Sequence, residues 1–383
     1  MRAQDLALQR DKYRHLTDAE WRWLLQQTEG RERTMDKLPT FAAIEDWWYP
    51  VRLSCEQCSS EATARYKASL VSGRRMADLT AGYGVDTFFL SEHFEQADYV
   101  EQNEELCRIA AHNFSLQRST INIHSTTAEA FLVSAGQYDL IYMDPARRDS
   151  HGGKVFRLED CTPNVVEMLP TLLAHLTEEG QIMLKLSPML DLTQALKELS
   201  VLQIQWSVYI VAVKNEVKEV LLLSREKSTF SHQPSDVRQT ITAIDLMEPE
   251  KAFVFTREEE RDCPLGIGDW SLIIGHFLYE PNAAILKAGA YKLVAQRYGL
   301  RKLDVNTHLY ASDRLVADFP GRAWQISGGG VPEKGSQANI LTRNYPLSPE
   351  QIKKKLHLRD GGTVFLIGCR MAGKPTLLQA ERV

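Results

Sequence analysis

Between residues 74 and 213, short apolar runs alternate with stretches of helical periodicity, and this alternation narrows the possible folds more than any other feature. The first five runs are 75–80, 98–101, 121–125, 138–144 and 181–186. Strands of that length separated by helices imply right-handed βαβ crossovers and a mostly parallel sheet buried on both faces. Two further runs, 204–213 and 219–224, are joined only by Lys214-Asn215-Glu216-Val217-Lys218. That link is too short for a crossover, so an antiparallel hairpin is expected at the sheet edge. The fold class read from the pattern is α/β.

The flanking regions read differently. Residues 1–50 are helical, with a capping box at Thr17-Asp18-Ala19-Glu20 and Trp21, Leu24 and Leu25 following at helical spacing. Residues 225–236 are polar and read as a linker. Beyond it, strands are expected at 240–246 and 252–256, and a helix over 282–298. Gly328-Gly329-Gly330 marks a second break, followed by a helix at 348–356 and a strand at 363–368. At roughly 150 residues per domain, 383 residues make two or three domains. The expected division is a helical segment 1–70, an α/β domain 71–226, an α+β module 236–327 and a basic module 331–383.

Composition excludes several classes. With 44% apolar and 25% charged residues the chain is globular, not disordered. No run of 18 apolar residues suggests a membrane span, and the charged first 16 residues lack the apolar centre of a signal peptide. Six scattered cysteines fit reduced thiols in a cytoplasm. The net charge of −5 hides an asymmetry: residues 290–383 hold 15 Lys+Arg against 7 Asp+Glu, a net of +8. The remaining residues therefore carry −13. The basic tail is either a polyanion-binding surface or a solvated helix face around Lys353, Lys354 and Lys355.

Asp78-Leu79-Thr80-Ala81-Gly82-Tyr83-Gly84 lies where the first strand turns into a helix. Gly82 and Gly84 let the backbone approach a ligand closely. Asp78 can accept from an amino group, and Glu101, ending the next strand, can accept both hydroxyls of a ribose. There is no third glycine at the dinucleotide spacing and no Gly-Lys-Ser/Thr of a P-loop. This segment resembles motif I of the class I S-adenosylmethionine-dependent methyltransferases, whose seven-stranded Rossmann-like sheet ends in the same kind of hairpin. The resemblance covers roughly residues 55–225. It implies S-adenosylmethionine as cofactor, with Asp78, Thr80, Gly82 and Gly84 at its amino-acid end and Glu101 on its ribose. It also implies Ala128 and Glu129 near the adenine, and Asp144 facing the cofactor from the fourth strand.

Asp144-Pro145-Ala146-Arg147-Arg148 resembles motif IV of the same enzymes. Members that methylate amino groups carry Asp/Asn-Pro-Pro and an aromatic ring there, whereas this chain has Ala146 and Arg147. Members that methylate base carbons need a cysteine nucleophile. Ser187 occupies the strand-five loop, and Cys161 is the nearest cysteine after motif IV. Lys67, Asp144, Lys185 and Glu219, spaced by 77, 41 and 34 residues, resemble the Lys-Asp-Lys-Glu set of the large-subunit ribosomal RNA 2′-O-methyltransferases. In that set one lysine lowers the hydroxyl's pKa and the carboxylates orient the lysine. Asp144, Pro145, Lys185, Lys67 and Glu219 are thus the catalytic candidates.

Cys55-Glu56-Gln57-Cys58 lacks the second ligand pair a structural zinc needs, so no metal is expected. The segment that follows, residues 59–67, is similar to the stretch that covers the cofactor in trimethylguanosine-synthase-type RNA methyltransferases. EQCSSEATARYK (56–67), DPARR (144–148), LYEPNAAILKAGAYKLVAQRYGLRKLDVNTHLYASD (278–313) and DFPGRAW (318–324) together are similar to a bacterial family of class I methyltransferases carrying ferredoxin-like and THUMP-like modules. The function this implies is methyl transfer, with structured RNA (tRNA or rRNA) as partner through residues 290–383. The acceptor would be a ribose 2′-hydroxyl or a base nitrogen. The alternatives are a small-molecule or protein methyltransferase, or a cofactor-binding protein without turnover.

Overall fold

The computed structural model describes residues 2–117, 120–147, 157–200, 204–225, 239–267 and 276–383. The strands in chain order begin with β1 (Gly73–Asp78), β2 (Phe94–Glu101), β3 (Ile121–Ser125) and β4 (Tyr138–Met143). A two-residue ladder, β5 (Ala146–Arg147) with β6 (Cys161–Thr162), follows. Then come β7 (Leu176–Leu186), β8 (Trp206–Val213), β9 (Glu216–Ser224), β10 (Thr240–Asp245) and β11 (Phe253–Thr256). One nine-stranded sheet runs β11-β10-β8-β9-β7-β4-β1-β2-β3. Its pairings β1–β2, β1–β4, β2–β3 and β4–β7 are all parallel, as helix-separated strands require. β7–β9 is antiparallel.

The β8–β9 hairpin turns on two residues, Lys214 and Asn215, with φ of 53° and 61°. Both lie in the left-handed region that a two-residue type I′ turn needs, and Asn tolerates it well. The hairpin does not end the sheet: β10 pairs parallel with β8, and β11 antiparallel with β10. Residues 240–256, expected in a separate module, therefore extend this sheet to nine strands. They cover a strand edge that would otherwise offer unpaired N–H and C=O groups. The linker read at 225–236 lies outside the described residues except for Arg225.

Residue contacts divide the chain into two compact units, Met1–Ser207 with Val220–Val237, and Val208–Glu219 with Arg238–Val383. In the first unit, the expected capping box is present: Thr17 and Glu20 bond reciprocally at the start of the helix Asp18–Thr34. The helical N-terminal segment packs through Phe41 and Trp47, both buried, against Phe88 and Phe89 of the helix Val85–Leu90.

The second unit holds a seven-stranded sheet formed by β12 (Phe277–Pro281), β13 (Arg301–Asp304), β14 (Thr307–Ser312), β15 (Gly321–Gly329), β16 (Asn339–Arg343), β17 (Val364–Met371) and β18 (Lys374–Arg382). Its order is β13-β14-β12-β15-β18-β17-β16. Leu278, Leu309, Trp324, Ile367 and Leu378 form its core. The strands on either side of Gly330 thus share one sheet. The single helix expected over 282–298 is two, Ala283–Ala288 and Leu293–Arg297, because Gly289 ends the first with φ of 81°. No helix among the described residues is long and apolar enough to cross a membrane. No disulfide joins any of the six cysteines.

Candidate functional site

β1 ends in Asp78, and the chain then turns through residues 79–84 into the helix Val85–Leu90. Gly82 and Gly84 have φ of 56° and 83°. A Cβ at Gly84 would lie 2.7 Å from Phe114 Cζ, so glycine is required there on both conformational and steric grounds. At Gly82 a Cβ would meet nothing nearer than 4.0 Å, because that side of the turn is open. Asp78 accepts from Thr80 N at 3.1 Å and from Thr87 Oγ1 at 2.6 Å. Glu101, ending β2, accepts from Gly82 N at 3.0 Å and from Asn103 N at 2.8 Å. Thr80 Oγ1 in turn accepts from Asp144 N at 2.6 Å, which ties the first turn to the end of β4. Lys185, near the end of β7, makes an ion pair with Asp144.

These loops converge beyond the carboxyl ends of β1, β2 and β4, where ligands sit in open α/β sheets. They enclose a cavity of about 320 Å³ lined by Asp78, Thr80, Gly82, Gly84, Glu101, Glu129, Asp144 and Lys185, among others. The wall facing them is N-terminal: Ser54, Gln57, Cys58 and Ser59. Tyr83 of the turn also lines it, and its hydroxyl accepts from Trp47 Nε1 at 2.9 Å. The helical N-terminal segment is therefore part of the site.

A solved structure of a candidate methyltransferase from Porphyromonas gingivalis W83 matches 96% of this chain and 92% of its own, at 34% identity and a TM-score of 0.82. Residues 277–320 match a ferredoxin-like domain family, and residues 330–382 a THUMP domain-like family. The chain belongs to the S-adenosylmethionine-dependent methyltransferases, in the family with these C-terminal modules. An uncharacterised S-adenosylmethionine-dependent methyltransferase of Mycobacterium tuberculosis, found in strains CDC 1551 and H37Rv, is 23% identical over 371 residues. That alignment spans 91% of this chain and 92% of the relative.

The cavity of this methyltransferase suits its cofactor in donor chemistry. Asp78 would take the cofactor's ammonium, Glu101 the ribose hydroxyls, and the open side of Gly82 the close approach of the methionine chain. Burial pushes the Asp78 carboxyl up from 3.8 to about 8. The hydrogen bonds from Thr87 and Thr80 oppose that rise, while the charges of Asp86 and Asp144 add to it. The protonated form contributes stability that is complete below the ordinary value near 3.8 and is lost as pH rises through about 8. Binding a cation requires the ionised form, so the sign reverses for the cofactor. Its affinity should climb with pH toward about 8, by up to about tenfold per unit. Asp78→Asn should flatten that climb and weaken binding by about tenfold or more at pH 8, the worth of a charge-assisted hydrogen bond. Calorimetric titration from pH 6 to 9 checks both; a wild-type affinity that is flat with pH removes Asp78 as the ammonium's partner.

The structure gathers nine of the site residues named from sequence, Ala128 included, around one cavity and places others outside its lining. Pro145 is buried and is not among the lining residues. Lys67 is fully buried and forms its ion pair with Asp86, at 3.2 Å. Glu219 is buried on β9 and is not among the lining residues. Lys67 turns to Asp86 because the helix Glu61–Ala68 packs on the helix that follows the glycine turn. Cys161 is buried on β6, and its thiol donates to Arg157 O at 3.7 Å. The Arg147 side chain and Arg148 lie outside the described residues. Cys55 is buried, with burial pushing its thiol up to about 12. Among the described residues no group of three or more His, Cys, Asp or Glu is placed to hold a metal.

Sequence reasoning passed over Asp86, Tyr142, Ser54 and Cys58 as lining residues, whereas Ser59 opens the stretch likened to a cofactor cover. A signal existed for two of them. Asp86 is a carboxylate at the start of a mostly apolar helix, and Tyr142 lies on β4 two residues before Asp144, which directly follows that strand.

Proposed function

We propose that this methyltransferase acts on structured RNA, tRNA or rRNA, at a ribose 2′-hydroxyl or a base nitrogen. The observation that carries the reading is a cluster of exposed cations on the THUMP-like module. The helix Pro349–Leu356 ends in Lys353, Lys354 and Lys355. Arg359 follows, bonded through its Nε to Gly335 O at 2.9 Å, which brings Lys334 of the neighbouring loop to the same patch. Lys334, Lys354, Lys355 and Arg359 are exposed. Placing lysines at a helix C-terminus complements its dipole, but that accounts for only part of the +8 charge of residues 290–383. Such a patch fits phosphates, and counterion release supplies the affinity.

When bound, the cofactor supplies an electrophilic methyl group on its sulfonium. Lys185, as an ammonium, and Asp144 would then hold the acceptor at the cavity mouth, and the Asp144 carboxylate would take up its proton as its lone pair forms the new bond. The cytoplasm, where tRNA and rRNA reside, would be the site of action.

Nucleoside mass spectrometry of RNA from cells with and without the protein tests the reading. One methylated nucleoside should disappear with the protein, and its identity separates oxygen from nitrogen. Unchanged nucleosides in all RNA classes would turn attention to a small-molecule or protein acceptor. Replacing Lys353, Lys354 and Lys355 by Gln should flatten the salt dependence of RNA binding by about 0.7–0.9 unit of slope for each lysine that meets a phosphate. An unchanged slope in filter-binding titrations would make this run a solvated helix face.

A further inference from the structure

At the cavity wall lies a charge pair of which the sequence points to one member, Lys67, and not to its partner, Asp86. Lys67, with no exposure at all, faces Asp86 Oδ1 at 3.2 Å. Asp86 Oδ2 accepts from Ser59 Oγ and from the Tyr142 hydroxyl, each at 2.7 Å. Lys67 Nζ also donates to Ser59 Oγ at 3.3 Å. Four separate stretches of chain meet here: the N-terminal wall, the helix Glu61–Ala68, the helix after the glycine turn, and β4. Ser59, Asp86 and Tyr142 all line the cavity. Lys185, paired with Asp144, lines the same cavity as Asp86.

Burial of a charge pair is expensive, and apolar side chains of similar size usually serve packing as well or better. This pair sits where the cofactor turn and the acceptor strand meet, which is where an ion pair can orient other groups. Burial alone would raise the Asp86 carboxyl. The ammonium groups of Lys67 and Lys185, with the hydrogen bonds from Tyr142 and Ser59, outweigh it and hold the group below its usual 3.8. Lys67, Tyr142 and Ser59 contact Asp86 directly, and the titratable groups of Lys185, Asp78 and Cys58 line the same cavity.

We propose that Lys67 and Asp86 are positioning residues for methyl transfer: the carboxylate, anchored by Lys67, fixes the Tyr142 hydroxyl and steadies Lys185 in its pairing with Asp144. Lys67 thus acts through Asp86 and does not itself touch the acceptor. The proposal rests on the reading of Asp144 and Lys185 as the acceptor-side pair, but it does not depend on the acceptor being RNA.

Competitive acetylation of the full-length protein, read at Lys185 by mass spectrometry across pH 7–11, tests it without any acceptor. Lys67→Met/Asp86→Asn removes the pair without leaving a lone buried charge. The two charges removed are opposite and largely cancel at Lys185, so the expected shift of its labelling profile to lower pH reports a loosened pairing with Asp144. Tyr142→Phe keeps both charges and the ring. It should move the profile the other way by a few tenths of a unit, as Asp86 loses a competing donor. With hypomethylated RNA from cells lacking the protein, kcat for the double variant should fall about tenfold or more at unchanged cofactor KM. A Lys185 profile that overlaps the wild type in the double variant overturns the proposal, and Tyr142→Phe decides it if the double variant does not fold. Wild-type protein that transfers nothing to that RNA counts against the RNA reading alone, since the labelling profile still decides this one.

Discussion

Lys185→Met should slow methyl transfer by about 10²–10⁴-fold, the usual worth of a positioned acid–base group, while cofactor affinity stays within about threefold. Methionine keeps the length and apolar stem of lysine, so the packing of β7 survives. What is lost is the ammonium paired with Asp144. The Lys185 side chain is 13% exposed and that of Asp144 38%, so water can reach the carboxylate left behind and the fold should tolerate the change. Cofactor binding would rely chiefly on other residues of the cavity, Asp78, Gly82 and Glu101. A loss of kcat at unchanged cofactor affinity would mark an interaction made only in the transition state. The measurement is labelled-methyl transfer to RNA from cells lacking the protein, with calorimetry for the cofactor. A variant that keeps its rate would remove Lys185 from the chemistry and leave Asp144 and the Pro145 backbone to align the acceptor.

Phe41→Ala should cost about 3–5 kcal/mol of stability, the range for truncating a fully buried phenylalanine. Phe41 has no exposed surface. Its ring lies 4.2 Å from that of Trp47, 5.0 Å from Phe88, 5.8 Å from Phe89 and 6.0 Å from Tyr83. Removing it opens a cavity between the N-terminal segment and the helix that follows the glycine turn. The damage should reach the cofactor, because Trp47 holds Tyr83 of that turn through its indole N–H. Urea denaturation gives the stability change and calorimetry the affinity. A cost below about 1 kcal/mol would mean the N-terminal segment docks by other contacts. A normal cofactor affinity in a destabilised variant would mean the turn keeps its shape without it.

Several features were legible because they are local. The capping box at Thr17–Glu20, the alternation of strands and helices, and a hairpin across 214–218, which the structure tightens to a two-residue turn, depend on short-range periodicity and backbone preference. The second unit was hard to read for the opposite reason. β12 to β16 are four to nine residues long, and several are neither cleanly alternating nor uniformly apolar, so their register is set by partners far along the chain.

The cofactor turn is local chemistry. Asp78, Gly82 and Gly84 sit within seven residues, each required by backbone geometry or by the charge of the ligand, and such a pattern carries its meaning in one dimension. The ion-pair partners do not. Lys67, Asp86, Asp144 and Lys185 are all charged residues at element ends, and spacing alone allows several pairings among them. Folding settles the matter by packing the helix Glu61–Ala68 against the helix Val85–Leu90 and by setting β7 beside β4. Lys67 therefore meets Asp86 and Lys185 meets Asp144, because a buried charge pairs with the counter-ion that the packing brings within reach, whatever its distance in sequence.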